Sequence, residues 1–348
     1  MREMFESTID RLLADHVDPA LISRAESGEW PAELWAAVEE TGLALATAAE
    51  EHGGVGADWG DAYVLVRAAG RHAAPIPLAE TLLANWLLAQ AGLEPLAGAA
   101  TVADGRGLNM QRGAVTGRLA GVPWGASVRH TVTVTGGQSP QVAVLIDAGA
   151  SATPGLNTAR EPRDDLTFTH VIPEAMAPLP AHLPPDVVML GGAMIRAGQI
   201  AGALERLLDL SVLYANDRVQ FGKPIAKFQA VQHQIAVLSE HTASAIAAAD
   251  AAFSAEGEGL SAFRIAAAKV VASEAAGAGA AIAHAVHGAI GFTYEHALHY
   301  STRRLWSWRS EFGSQAYWSE RLGREACAAG SAGTWPAIVS GGFSAHVR

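Results

Sequence analysis

The chain has 348 residues, half of them apolar, which suffices for a sizeable core and suggests two or three domains. Its 35 acidic and 24 basic residues give a net charge of −11, a balance that argues against nucleic acid as a partner and for a globular protein. A single cysteine, Cys327, excludes an internal disulfide and any Cys-rich metal site, and it suits a reducing, cytoplasmic setting.

Residues 1 to about 100 read as helical. The opening MREMFESTIDRLL is charged and amphipathic, without the apolar core of a signal peptide. Phe5, Ile9, Leu12, Leu13 and Val17 recur at helical spacing, and Trp35, Val38 and Leu43 begin a second stripe after Pro31. Gly53, Gly54 and Gly56 then break the pattern. No strand precedes this glycine turn and no G-x-x-x-x-G-K-[ST] follows it, so it reads as a structural turn.

From about Thr101 to Pro173 the period shortens to two. Val132 and Val134 alternate with Thr131, Thr133 and Thr135, Gly136 and Gly137 turn the chain, and Val142, Val144 and Ile146 continue it. This is a β-hairpin within a small β domain, in which Trp124 reads as core. Pro173, Pro178, Pro180, Pro184 and Pro185 make a stiff connector. Beyond it lies a helix bundle: one face runs through Ile200, Leu204, Leu207 and Leu208, and a second through Val231, Ile235, Leu238 and Ile246. A third helix spans Ala266 to Ala289, and a last one runs through the 310s and 320s. The apolar run from Ala275 to Phe292 is mostly Ala and Gly and contains His284 and His287, so it reads as a buried helix too weakly hydrophobic to span a bilayer. His287 reads as a helix-packing histidine. The division is 1–100 helical, 101–175 β, and 186–340 bundle.

One stretch interrupts the bundle: RVQFGKPIAKFQAVQHQIA, Arg218 to Ala236. Gly222 and Pro224 turn the chain, and Arg218 offers a guanidinium fork of the kind that holds phosphate groups. Arg218, Phe221, Gly222 and Gln229 fall on an R-x-x-F-G-x-x-x-x-x-x-Q pattern that resembles the acyl-CoA dehydrogenase family. AVHGAIGFTYEHALHYSTRRLW is similar to that family's Q-L-H-G-G-x-G-F-T-x-E run through Gly288, Gly291, Phe292 and Glu295, with Ala285 and Ala289 departing from it. The segment beginning EEHGGVG resembles the family's N-terminal domain.

The resemblance covers nearly the whole chain. It implies an α+β fold with an N-terminal helical domain, a small middle β domain and a C-terminal four-helix bundle. It implies FAD, with Arg218, Phe221, Gln229, Gly288 and Ser314 as cofactor contacts, the first of them reaching a neighbouring subunit's ADP group. It also implies α,β-dehydrogenation of an acyl-CoA thioester, in which a Glu removes the α proton. Two flavin-side features are missing or altered: the T-E-P-x-x-G-S-D loop is absent, and W-I-T-N is at best replaced by Val122-Pro123-Trp124-Gly125.

The base is also missing from its usual places. The family Glu lies 21 residues beyond the Gly of G-F-T, which here is Phe312, with Gly313 and Ser314 keeping the register of the motif. The family's second location, 26 residues before the clamp Arg, is Gly192, where the absent side chain is expected to leave room for a bulky acyl group. Glu311, one residue early, is the nearest candidate base. This pattern resembles the short subunits of hetero-oligomeric, steroid side-chain acyl-CoA dehydrogenases. The expectation is a subunit that completes the FAD site of a partner chain bearing the catalytic Glu. The alternatives are a self-sufficient homo-oligomer using Glu311, or a structural subunit without FAD. An acyl-CoA substrate and an electron-transfer acceptor protein follow from the same resemblance; membrane insertion and a metal site do not.

Overall fold

The computed structural model describes residues 1–146, 149–254 and 259–343. Five helices come first: α1 (Arg2–His16), α2 (Pro19–Glu26), α3 (Ala32–Glu40), α4 (Trp59–Arg71) and α5 (Leu78–Gln90). Their starts follow local chemistry. Asp18 accepts from the Leu21 amide at 2.7 Å with Pro19 in the first turn of α2, and Asp58 accepts from the Asp61 amide at 2.8 Å to begin α4.

Eight strands follow: β1 (Ala100–Ala103), β2 (Asn109–Gln111), β3 (Ala114–Pro123), β4 (His130–Val134), β5 (Gln141–Ile146), β6 (Ala150–Thr153), β7 (Arg163–Val171) and β8 (Ala175–Pro178). They form two four-stranded sheets, ordered β1-β4-β5-β8 and β2-β3-β7-β6. The expected hairpin is β4–β5, antiparallel with Val134 opposite Val142 and His130 opposite Ile146. Its alternation does not divide core from solvent, because all of β4 is buried. Val132, Val134, Val142 and Val144 face the large helical core, while Ala143 and Leu145 join a second core between the sheets. The threonines survive burial because Thr133 donates to the Ala103 carbonyl at 2.8 Å and Thr101 to that of Pro123 at 2.5 Å. Trp124 is core, edge-on to Trp30 with centroids 6.3 Å apart.

The bundle contains α6 (Val187–Asp217), α7 (Gln229–Phe253), α8 (Ala262–His287) and α10 (Gln315–Ser340), with the shorter α9 (Leu298–Trp308) before the last; β9 (Val219–Gln220) and β10 (Lys223–Pro224) join α6 to α7. At 31 residues, α6 is about 46 Å long and packs against α4, α5, α7, α8 and α9. Both α6 and the Ala262–Phe292 stretch are long and apolar enough to cross a bilayer, so the sequence reading undervalued the hydropathy of the second. In this fold, 94% of the apolar window of α6 is buried against neighbouring helices.

Glycine brings α4 and α6 together. A Cβ on Gly70 would overlap the Gln199 carbonyl, and one on Gly202 would overlap that of Arg67, so the two backbones pack where no side chain fits. Alanine would add up to about 1 kcal/mol of helix propensity but must displace backbone, so overpacking wins. Gly202→Ala is expected to lower the unfolding free energy by about 1–3 kcal/mol, read from chemical denaturation beside the solvent-facing control Gly323→Ala.

Candidate active site

The Arg218 segment is built by the end of α6. Arg218 caps the helix in extended conformation, with its amide donating to the Tyr214 carbonyl at 2.9 Å. The chain then makes a two-residue hairpin in which Phe221 (φ 53°) and Gly222 (φ 77°) both take left-handed backbone, as a type I′ turn requires. Glycine does this freely, whereas an aromatic residue gives up roughly 1–2 kcal/mol. The Phe221 ring is moreover 92% exposed. Arg218 and Gln229, the first residue of α7, are exposed beside it.

Gly288 belongs to the same end of the bundle. It stops α8 at φ 62°, ψ −141°, a conformation essentially confined to glycine, and nothing lies within 4 Å of where its side chain would be. The preceding His287 is buried, stacks on Tyr214 at 4.6 Å, and pairs through Nδ1 with the Ala283 carbonyl at 2.7 Å. Burial holds His287 below the ordinary histidine range, so it packs as a neutral ring. Through Tyr214, the Gly288 turn and the Arg218 hairpin meet at one end, which also exposes Leu213, Val219, Phe292 and Tyr294.

Glu311 and Ser314 lie elsewhere, in the turn between α9 and α10. That turn packs on α6 at Arg196, twenty-two residues before Arg218 and hence about 33 Å away along the helix. Ser314 is the exposed N-cap of α10, accepting from the Tyr317 amide at 3.3 Å. Phe312 and Gly192 touch: a Cβ on Gly192 would overlap the Phe312 ring. The room expected at Gly192 is therefore filled. Phe312 is held at φ 49° with Gly313 at φ 92°, Trp318 Nε1 donates to its carbonyl at 2.9 Å, and the Arg196 guanidinium lies 5.5 Å from its ring centroid.

Glu311 is part of a buried ion-pair cluster. Arg163 donates to both its oxygens at 2.9 Å, Arg196 donates at 2.7 Å, and Asn157 at 3.0 Å. Burial alone would raise its pKa, but Arg163 and Arg196 outweigh that and hold it well below the usual carboxylate range. A carboxylate so held is a poor proton acceptor. Arg196 also pairs with Glu80 at 2.7 Å, and Arg163 with Glu161 at 3.0 Å. Glu161 lies 3.2 Å from Arg304, and Glu26 completes the chain by pairing with Arg303 at 2.6 Å and Arg304 at 3.5 Å. Four Glu balance four Arg, so no net charge is buried. Close by, the buried Lys269 donates to the Trp308 and Arg309 carbonyls at 3.0 and 2.8 Å, and burial brings its pKa down to about 7. Sequence reasoning missed this cluster, although single charges inside apolar runs, such as Glu80 in LAETLL and Arg196 in MIRAGQI, signal buried pairing.

The comparisons with known proteins agree on one family. Residues 1–96 match the acyl-CoA dehydrogenase N-terminal domain and residues 189–326 its C-terminal domain. Acyl-CoA dehydrogenase IpdE2 of Mycobacterium tuberculosis is 30% identical over 307 residues, covering 87% of this chain and 90% of that protein. FadE34 of the same organism, also an acyl-CoA dehydrogenase, is 31% identical over 304 residues, which is 83% of this chain but 41% of the longer relative. Among solved structures, the Tcur3481-Tcur3483 steroid ACAD superposes with a TM-score of 0.82 at 23% identity, covering 92% of this chain and 96% of that one. The ChsE4-ChsE5 complex of M. tuberculosis gives 0.81 at 21%, covering 93% and 96%.

Two outcomes follow from the buried charges. Glu311→Gln leaves two guanidiniums under-compensated and is expected to cost about 3–5 kcal/mol of stability at neutral pH. Because its folded pKa is depressed, the wild-type contribution is complete above the unfolded value near 4.5 and declines as pH falls further, so the two denaturation midpoints should converge in acid. Lys269 has the opposite sign. Between about pH 7 and its ordinary 10.5 the unfolded chain keeps a proton that the folded chain has released, so stability rises with pH, by up to about 1.4 kcal/mol per unit. Lys269→Met should flatten the rise in urea midpoint between pH 7 and pH 9.

Proposed function

The chain belongs to the acyl-CoA dehydrogenase family, and from that premise we propose that it is one subunit of a flavin-dependent, steroid-type enzyme whose carboxylate base sits on a partner chain. The observation that carries this reading is the Phe312 ring against Gly192. Both positions at which family members keep their base are in contact here, and neither offers a carboxylate. Glu311 points into the ion-pair cluster between Arg163 and Arg196, where its affinity for protons is too low for it to take one from carbon. It is a structural anion in this reading.

The family reaction needs an α proton removed while the thioester carbonyl is polarised, and bound FAD supplies the acceptor for the β hydride. The part of this chain is binding. Arg218 would hold the ADP end through its guanidinium fork, with the exposed Phe221 ring beside it. Gly288, with open space where a side chain would stand, lets an anionic group approach the backbone. Gln229 adds an amide beside Arg218, and Ser314 an exposed hydroxyl on the far turn. These residues fit the ADP half of FAD. Arg218 lies about 33 Å along α6 from Arg196, the partner of Glu311, whereas Ser314 lies on the Glu311 turn, which suits two ends of the chain serving two different sites. That one structural relative is a ChsE4-ChsE5 complex supports a paired assembly, and the steroid ACAD likeness supports a bulky acyl-CoA substrate. An electron-transfer acceptor protein and a cytoplasmic setting complete the proposal.

The test is FAD content and dye-linked acyl-CoA dehydrogenation of the chain alone and co-purified with its partner. The expected result is no turnover alone and one FAD per pair in the complex, with Arg218→Ala losing most of that FAD. Full FAD and turnover in the isolated chain, abolished by Glu311→Gln in protein that remains folded, would overturn it.

A further inference from the structure

Four histidines converge where α8 gives way to α9: His284 and His287 at the end of α8, His296 just before α9, and His299 within it. The His287 ring lies against two others, Tyr214 of α6 at 4.6 Å and His296 at 4.7 Å between centroids. His284 stacks on Phe292 at 4.4 Å and on Trp306 of α9 at 5.8 Å. The contact between the end of α6, the Gly288 turn and α9 therefore runs through imidazoles.

Hydrogen bonds fix where the ring protons sit. The Ala283 carbonyl only accepts, so His287 carries its proton on Nδ1, and its Nε2 is a lone pair that is buried and has no partner among the described residues. The Leu298 amide donates to His296 Nδ1 at 3.1 Å, which leaves the His296 proton on Nε2. Both rings are set up to be neutral. A second proton on His287 would make a buried cation, and the titratable groups facing it are Tyr214 from α6, His284 from α8 and His296 from the turn, none of them a carboxylate. Arg303, Arg304 and Glu26 act on His299, and Glu295 is exposed. The Ala283 and Leu210 carbonyls favour a charged His287, but burial outweighs them. We propose that these histidines form a pH-operated latch: neutral, they hold the Gly288 turn and α9 on the end of α6, and uptake of a proton by His287 in mild acid frees that end. The latch goes beyond the flavin reading and stands whether or not that reading does, although the end it frees also carries Arg218 and Phe221.

The sign follows from burial. A ring that takes its proton at lower pH when buried than when solvated favours the open state as pH falls below the ordinary 6.5, by up to about tenfold per pH unit for one proton. The test is hydrogen exchange of the full chain, read peptide by peptide by mass spectrometry and corrected for the intrinsic rate. Amides of residues 284–300 are expected to exchange about three- to tenfold faster at about pH 5.5 than at about pH 6.5, while those at the α4–α6 contact keep their rates. His287→Phe keeps a ring on Tyr214 without a titrating nitrogen and should remove the pH dependence. Should it fail to fold, His287→Gln, which keeps a donor for the Ala283 carbonyl, should do the same. A wild-type rate indifferent to pH, an acceleration spread evenly over the bundle, or a pH dependence retained in a folded variant would each overturn the proposal.

Discussion

The constraint on which the rest of the structure depends is the buried ladder of four Glu and four Arg that runs from Glu26 to Glu80. It takes members from α2, α5, the β7 segment, α6, α9 and the turn after α9, so each layer of the fold holds a charge that another layer must neutralise. Such a cluster contributes modest net stability, because desolvation offsets most of the Coulombic gain. What it adds is registry: if one element shifts, a buried charge is left without its counterpart, which is far more costly than losing a hydrophobic contact.

The turn after α9 shows what that registry achieves. Glu311 is gripped from the β7 side by Arg163 and from the bundle by Arg196, while Lys269 holds the last carbonyls of α9. With both flanks fixed, Phe312 has no freedom to relax from left-handed backbone, and its ring is delivered onto Gly192. A residue type that would be an outlier in an open loop is sustained here by its surroundings. Where the family resemblance places a carboxylate, this chain has a sealed aromatic contact.

The other end of α6 has the reverse character. Phe221 is strained and exposed together, and Gly288 leaves its backbone open to solvent. Neither feature stabilises the isolated chain. Both make sense on a surface that presents an aromatic face, a guanidinium and bare backbone to something outside it, and the exposed Leu213, Phe292 and Tyr294 extend that surface.

Much of the fold was legible in the sequence, because its signals are local. The 3.6 period of α1, the alternation of β4 and β5 around Gly136–Gly137, and the turn chemistry of Phe221–Gly222 each depend on residues within a few positions of one another. The motifs that carry the family resemblance were legible for the same reason, as was the presence of Phe312 and Gly192 at the positions that resemblance assigns to a base, since counting along the chain suffices. The ladder was not, because its pairs are remote: Arg163 meets Glu311 across 148 positions and Arg196 meets Glu80 across 116. Composition announces that such charges need partners but not which, so Glu311 could be read as a free base and Gly192 as open space. The sequence by itself determined the family, the order of layers and the presence of Gly192 and Phe312 where the resemblance would place a carboxylate. Only the tertiary structure decided that Glu311 is clamped and the gap closed, because burial and pairing are properties of what surrounds a side chain in space.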